Sequence, residues 1–161
     1  MNFDKRLARA IERGRRASDT RAQVEAEKAI TREELRRLHT QFRLELSDHI
    51  ENGLKKLAGH FPGFQFETIV NDRGWGAAIS RDDLQVTRNR KRINQFSRLD
   101  MFIRPLSKYS VLELCAKSTI RNKELFNRTH FQRLAEVDLT SFTEMIDLWI
   151  LEFAELYAAK S

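Results

Sequence analysis

A single cysteine, Cys115, in 161 residues cannot close an internal disulfide, which points to a reducing compartment. No stretch approaches the roughly 20 apolar residues that a membrane-spanning helix needs. The opening Met1-Asn2-Phe3-Asp4-Lys5-Arg6 also lacks the apolar run of a signal peptide. The expected location is therefore cytoplasmic. Only four histidines occur, His39, His49, His60 and His130. None forms an HxxxH or HExxH pair, and with one cysteine no zinc set of the usual spacing can be written. The reading expects no metal and no cofactor. Repeats, low-complexity tracts and linkers are absent too, so one domain is expected, with roughly 70% of its unfolded surface buried.

What the chain has in quantity is charge and large apolar side chains. Hydrophobic residues make up 41% and charged residues 32%, with eleven Phe and two Trp, a globular rather than a disordered composition. The formal net charge of +6 is unevenly spread. Residues 1–17 carry six Lys/Arg against two acids and residues 81–98 again six against two, whereas residues 136–161 carry six acids against one Lys. Such polarity favours acidic partners, nucleic acid or protein, and contacts between copies of the chain.

The central stretch is residues 99–120. Leu99, Met101 and Ile103 alternate with polar neighbours, and after Pro105-Leu106-Ser107-Lys108 the alternation resumes at Leu112, Leu114, Ala116 and Ile120. This is a β-hairpin with one buried face. A four-residue loop would set Leu99 opposite Leu114, Met101 opposite Leu112 and Asp100 opposite Glu113.

Ahead of it, Phe3, Leu7, Ala10 and Ile11 recur at helical spacing beside Lys5, Arg9, Arg13 and Arg16, a basic amphipathic helix within an extension over residues 1–30. Thr31-Arg32-Glu33-Glu34 has the form of a capping box, so a second helix starts there or one long helix runs through. Leu35, Leu38, Phe42, Leu46, Ile50, Leu54 and Leu57 give residues 31–60 a long amphipathic helix, with Gly59 placed as its C-cap. After Pro62-Gly63 the period changes to two. Residues 64–70 and 75–79 form a hairpin about Asn71-Asp72-Arg73-Gly74, and Leu84 and Val86 suit a short strand. Thr87 to Arg92 is an exposed basic loop, and residues 125–134 form a further strand, so the sheet occupies residues 64–136. Ser141-Phe142-Thr143-Glu144 again fits a capping box, opening a helix over residues 139–159 with a broad apolar arc. The expected fold is α+β: an antiparallel sheet of four to five strands covered on one face by a long N-terminal helical segment and a C-terminal helix.

No set of residues announces a catalyst. Asp100, Glu113 and Lys117 on one hairpin face resemble metal-dependent nuclease carboxylates in type only, and a salt-linked outer face explains them as well. Cys115 lies near Lys117, which could lower its pKa. Phe96 and Phe102 fall on the outer hairpin face between arginines, and Leu148 and Leu151 widen the apolar arc of the last helix. These four are the candidate partner-binding residues. The expected function is thus a non-enzymatic protein interaction or adaptor domain, self-associating into a homo-oligomer, with an acidic protein partner. The alternative is nucleic-acid binding by Lys5, Arg9, Arg13, Arg16, Arg88, Arg90, Lys91 and Arg92.

Overall fold

A computed structural model describes residues 2–160, except for the side chains of residues 27–30. The elements are α1 (Phe3–His60), β1 (Gln65–Asn71), β2 (Gly74–Val86), β3 (Arg92–Ile103), β4 (Val111–Ile120), β5 (Lys123–Arg133), a 3₁₀ turn (Leu134–Glu136) and α2 (Leu139–Lys160). The five strands form one antiparallel meander in the order β1-β2-β3-β4-β5. The chain divides into two units, Met1–Arg37 and Leu38–Ser161, with the division inside α1. The helix runs unbroken through Thr31.

In the second unit, residues 38–60 of α1 and all of α2 cover one face of the sheet. Leu46, Ile50 and Leu54 from α1 and Phe142, Ile146 and Phe153 from α2 are fully buried, as are Ile79, Leu99, Met101, Ile103, Leu112 and Leu114 from the strands. The spacing of three and four on each helix and of two on each strand places these residues on the facing sides. Polar links reinforce the seam. Arg43 lies over the Trp75 ring at 4.2 Å, and the Thr68 hydroxyl donates to Glu51 at 3.4 Å. Phe61, Phe64, Phe153 and Tyr157 close the end of the core edge to face.

Several local expectations are corrected. Leu99 pairs with Ser118, Met101 with Ala116 and Asp100 with Lys117, four residues along β4 from the expected partners. The loop after Ile103 is longer than four residues, because Arg104 N still donates to Glu113 O at 3.0 Å. An even shift leaves every side chain on its expected face. Gly59 lies within α1, and the left-handed residue beyond the helix is Gly63, with φ of 99°. Asp138, not Ser141, caps α2, its Oδ1 accepting from Thr140 N at 3.1 Å. β2 continues to Val86 and β3 begins at Arg92, so residues 87–91 of the basic run are the turn joining them, closed by Thr87 N donating to Lys91 O at 3.0 Å.

The covered side of β5 is the polar-looking one: Phe126, Arg128, His130 and Gln132. Arg128 donates from both terminal guanidinium nitrogens to Glu152 of α2, Nη2 to Oε1 at 3.0 Å. The His130 ring meets Ser141 Oγ at 3.1 Å and packs edge to face with the Phe142 ring, their centroids 4.7 Å apart. β4 pairs only with the second half of β3, from Arg98 onward. Beyond that point Asn122, held at φ of 69° in the β4–β5 turn, substitutes for a strand: Phe96 N donates to its Oδ1 at 2.9 Å and its Nδ2 donates to Asn94 O at 2.7 Å.

Two glycines make opposite predictions. A Cβ on Gly76 would lie 1.9 Å from Met101 O and 2.6 Å from Phe102 Cα, backbone that cannot yield. Gly76→Ala should cost about 3 kcal/mol. A Cβ on Gly53 meets only the Ile150 Cδ1 tip at 2.6 Å, and Ala is about 1 kcal/mol better than Gly within a helix, so Gly53→Ala should be close to neutral. Urea unfolding of the two variants reads the contrast, and equal midpoints would contradict it.

His39 supplies a pH dependence. Its ring is buried, with Nε2 3.1 Å from Arg104 O. Burial, helped by the Arg43 charge, lowers its pKa from the ordinary value, although the bond to the Arg104 carbonyl acts the other way. Protonation therefore favours the unfolded chain. The contribution is fully present above about pH 6.5 and is lost as pH falls through the lowered folded value. The stability difference between the wild type and His39→Gln, followed by urea unfolding from neutral to mildly acidic pH, should move in the variant's favour. A difference independent of pH would refute it.

Candidate interaction surfaces

The first surface is the N-terminal part of α1. Every side chain over residues 3–26 is exposed, including Phe3 at 75%, Leu7 at 47% and Ile11 at 48%. Lys5, Arg9, Arg13 and Arg16 share one side of the helix by their spacing of four, four and three. Arg6, Arg9, Arg13 and Arg16 line a shallow hollow with Glu12, and Arg16 Nε is 3.4 Å from the Glu12 carboxylate. The element thus presents an apolar stripe and a cationic stripe to solvent.

The other surfaces belong to the second unit. Arg88, Arg90, Lys91 and Arg92 are exposed at and beside the β2–β3 turn, where Arg90 takes a left-handed φ of 60°. Leu148 and Leu151 are 57% and 64% exposed on α2, on the side away from the buried Trp149 and Phe153. Glu144, Asp147 and Glu155 are the neighbouring exposed positions. Phe96 and Phe102 lie on the uncovered face of the sheet. The four candidate partner-binding residues are therefore divided between opposite sides of this unit and do not make one surface.

On the uncovered face the cross-strand rows are Ile69, Gly76, Phe102, Cys115, Thr129 and, next to it, Glu67, Ala78, Asp100, Lys117, Asn127. The nuclease-like grouping is not assembled. Asp100 stands opposite Lys117, while Glu113 lies beside Arg104, whose Nη1 is 3.6 Å from its carboxylate. Arg98 bridges Glu67 at 2.8 Å and Asp100 at 3.2 Å. Among the described residues no three His, Cys, Asp or Glu side chains gather as metal ligands do, and no helix is long and apolar enough to cross a membrane. Sequence reasoning overlooked Arg73, in the β1–β2 turn, and the pair Asn127 and Thr129, which reach the same face as Phe102. Only the register of four strands reveals their proximity.

Cys115 does not have the activated thiol that a nearby Lys could give. Its Sγ lies 3.8 Å from Thr129 Oγ1. Burial raises its pKa, with Glu113 and Asp100 adding to the rise against the Thr129 bond and Arg104. The thiol should react with 5,5′-dithiobis(2-nitrobenzoic acid) at neutral pH about tenfold or more slowly than free cysteine and speed up on unfolding. A rate matching free cysteine would contradict this placement.

Comparison with known proteins finds no matching family model, no similar curated protein and no similar solved structure.

Proposed function

We propose that the chain is a non-enzymatic cytoplasmic interaction domain that self-associates and engages an acidic protein partner, with the N-terminal part of α1 as its docking element. The observation that carries this reading is the exposure of every side chain over residues 3–26, Phe3, Leu7 and Ile11 among them. A helix in water draws most of its stability from packing an apolar face, not from propensity. An apolar stripe at helical spacing, left in solvent beside four cations, is suited to a partner that offers apolar surface rimmed by acids. Leu148 and Leu151 on α2, with acids around them, are a second patch of the kind such contacts use.

A second reading, nucleic-acid binding, is favoured by Arg6, Arg9, Arg13 and Arg16 around one hollow of the helix. Its signature would be binding of labelled random-sequence DNA or RNA that persists at near-physiological salt. That binding should weaken and lose salt slope when Arg9, Arg13 and Arg16, or Arg88, Arg90 and Lys91, become Glu.

Sedimentation equilibrium over a wide concentration range tests the first reading. The full chain should associate, and Leu7→Glu with Ile11→Glu should weaken association about 100-fold or more, each lost apolar anchor contributing about 1.5–3 kcal/mol. A chain that stays monomeric at every concentration would overturn self-association. An oligomer unchanged by the double substitution would remove the helix from the contact.

A further inference from the structure

The uncovered face of the sheet carries a feature that the interaction reading does not use. Phe102 sits at its centre, and on the β2 side its cross-strand neighbour is Gly76, with Ala78 one step along. Both are buried. Two adjoining hollows open beside the ring, of about 210 Å³ toward β1 and about 370 Å³ toward β4 and β5. Arg73, Asp100 and Phe102 line both, and the larger adds Arg104, Lys117, Asn127 and Thr129.

The charges of this groove are not balanced. Asp100 and Glu67 are both taken by Arg98, at 3.2 Å and 2.8 Å. Arg104 has only the 3.6 Å approach of Glu113. Arg73 and Lys117 form no ion pair among the described residues, although Lys117 stands opposite Asp100 in the register. The larger hollow therefore keeps unneutralised positive charge beside an aromatic ring, with an amide and a hydroxyl on β5 within the same lining.

These are the parts that recognise a nucleotide unit. An aromatic side chain on an open sheet offers a stacking platform for a base. A guanidinium and an ammonium hold phosphate oxygens by charge-assisted hydrogen bonds. Asn and Thr supply donors and acceptors for the polar edges of base or sugar. A volume of about 370 Å³ lies within the range of roughly 300–1,000 Å³ of small-molecule sites.

We propose that the groove across Phe102 binds a phosphate-bearing aromatic unit, a nucleotide that is either free or part of a single strand. The base stacks on Phe102, the phosphates lie against Arg73, Lys117 and Arg104, and Asn127 and Thr129 meet the polar groups between. This site uses none of the residues of the apolar stripe of α1 or the leucines of α2, and it stands whether or not the chain self-associates.

The test is isothermal titration calorimetry of the full chain with ATP, inorganic tripolyphosphate and an oligomer of twelve thymidines. ATP should bind about tenfold or more tighter than tripolyphosphate, because only ATP brings a ring to Phe102. Arg73→Ala with Lys117→Ala, both exposed, should weaken ATP about tenfold or more. Phe102→Leu should remove most of the preference for ATP over tripolyphosphate. Thermal melting checks each variant, and if Phe102→Leu melts early the exposed double variant decides alone. Tighter binding of the oligomer than of ATP, lost in the same double variant, identifies a single strand as the source. Oligomer binding that the double variant leaves intact belongs elsewhere on the chain, and ATP binding then identifies a free nucleotide. The proposal falls if tripolyphosphate binds as well as ATP, if the double variant binds ATP like the wild type, or if millimolar ATP gives no binding.

Discussion

The second unit depends on β3, whose side chains must alternate between a face sealed by two helices and a face open to water. Leu99, Met101 and Ile103 are fully buried, while Arg98, Asp100 and Phe102 between them look outward. A slip of one residue would put an arginine and an aspartate into the core and the aliphatic residues into solvent. Two local devices hold the strand in place. On one side Gly74 and Gly76 let β2 close onto the carbonyls of Ile103 and Met101. On the other, Asn122 satisfies backbone groups of Phe96 and Asn94 where β4 has already ended. The second device matters because an unpaired strand segment leaves a row of open donors and acceptors.

The elements most legible in the sequence are those whose burial is set by periodicity alone. Leu46, Ile50, Leu54 and Leu57 mark the covered side of α1 without reference to any other element, and Phe142, Ile146, Trp149, Phe153 and Tyr157 do the same for α2. The β3–β4 register was not legible, because the apolar pattern is unchanged by an even shift and fixes only the face. What decides between registers is the longer connection through Pro105 and Tyr109 to Ser110, which turns with Ser110 at φ of 52°. No hydrophobic count could have supplied that. The covered face of β5 was hidden for a different reason: its residues are polar. Arg128 and His130 are tolerated there because Glu152, Ser141 and the Phe142 ring meet them from α2, and an ion pair held by two parallel hydrogen bonds keeps its geometry at the margin of a core.

The same limit governs the sites. The cationic side of α1 is readable because its residues lie on one helix at fixed intervals. The groove across Phe102 is not, since Arg73, Phe102, Lys117 and Thr129 are far apart in the chain and meet only through three successive pairings. Gly76, beside Phe102 in the register, is required by the close approach of β2 and β3, which locks the core register. The carboxylates suggested by chemistry alone followed the wrong register: Glu113 belongs with Arg104, and Asp100 shares Arg98 with Glu67. Two carboxylates expected to face each other are instead held by different arginines once strand pairing is set.

The length of α1 carries its own argument. Strands of 10 to 13 residues, as β2 to β5 are, extend about 33–43 Å. Residues 38–60 of the helix, at 1.5 Å each, extend about 35 Å. That stretch alone has the length needed to cover the sheet, and among the described residues it carries the buried leucines and the buried isoleucine of α1. Over residues 3–26 the composition changes: the bulky apolar side chains are Phe3, Leu7, Ile11 and Val24, all exposed, and arginine takes over. A helix maintained for structural reasons alone would have no use for apolar residues every fourth position on a solvated side. Their spacing is what a second surface would demand, whereas the polar substitution of that stripe would leave the core of Leu38–Ser161 intact.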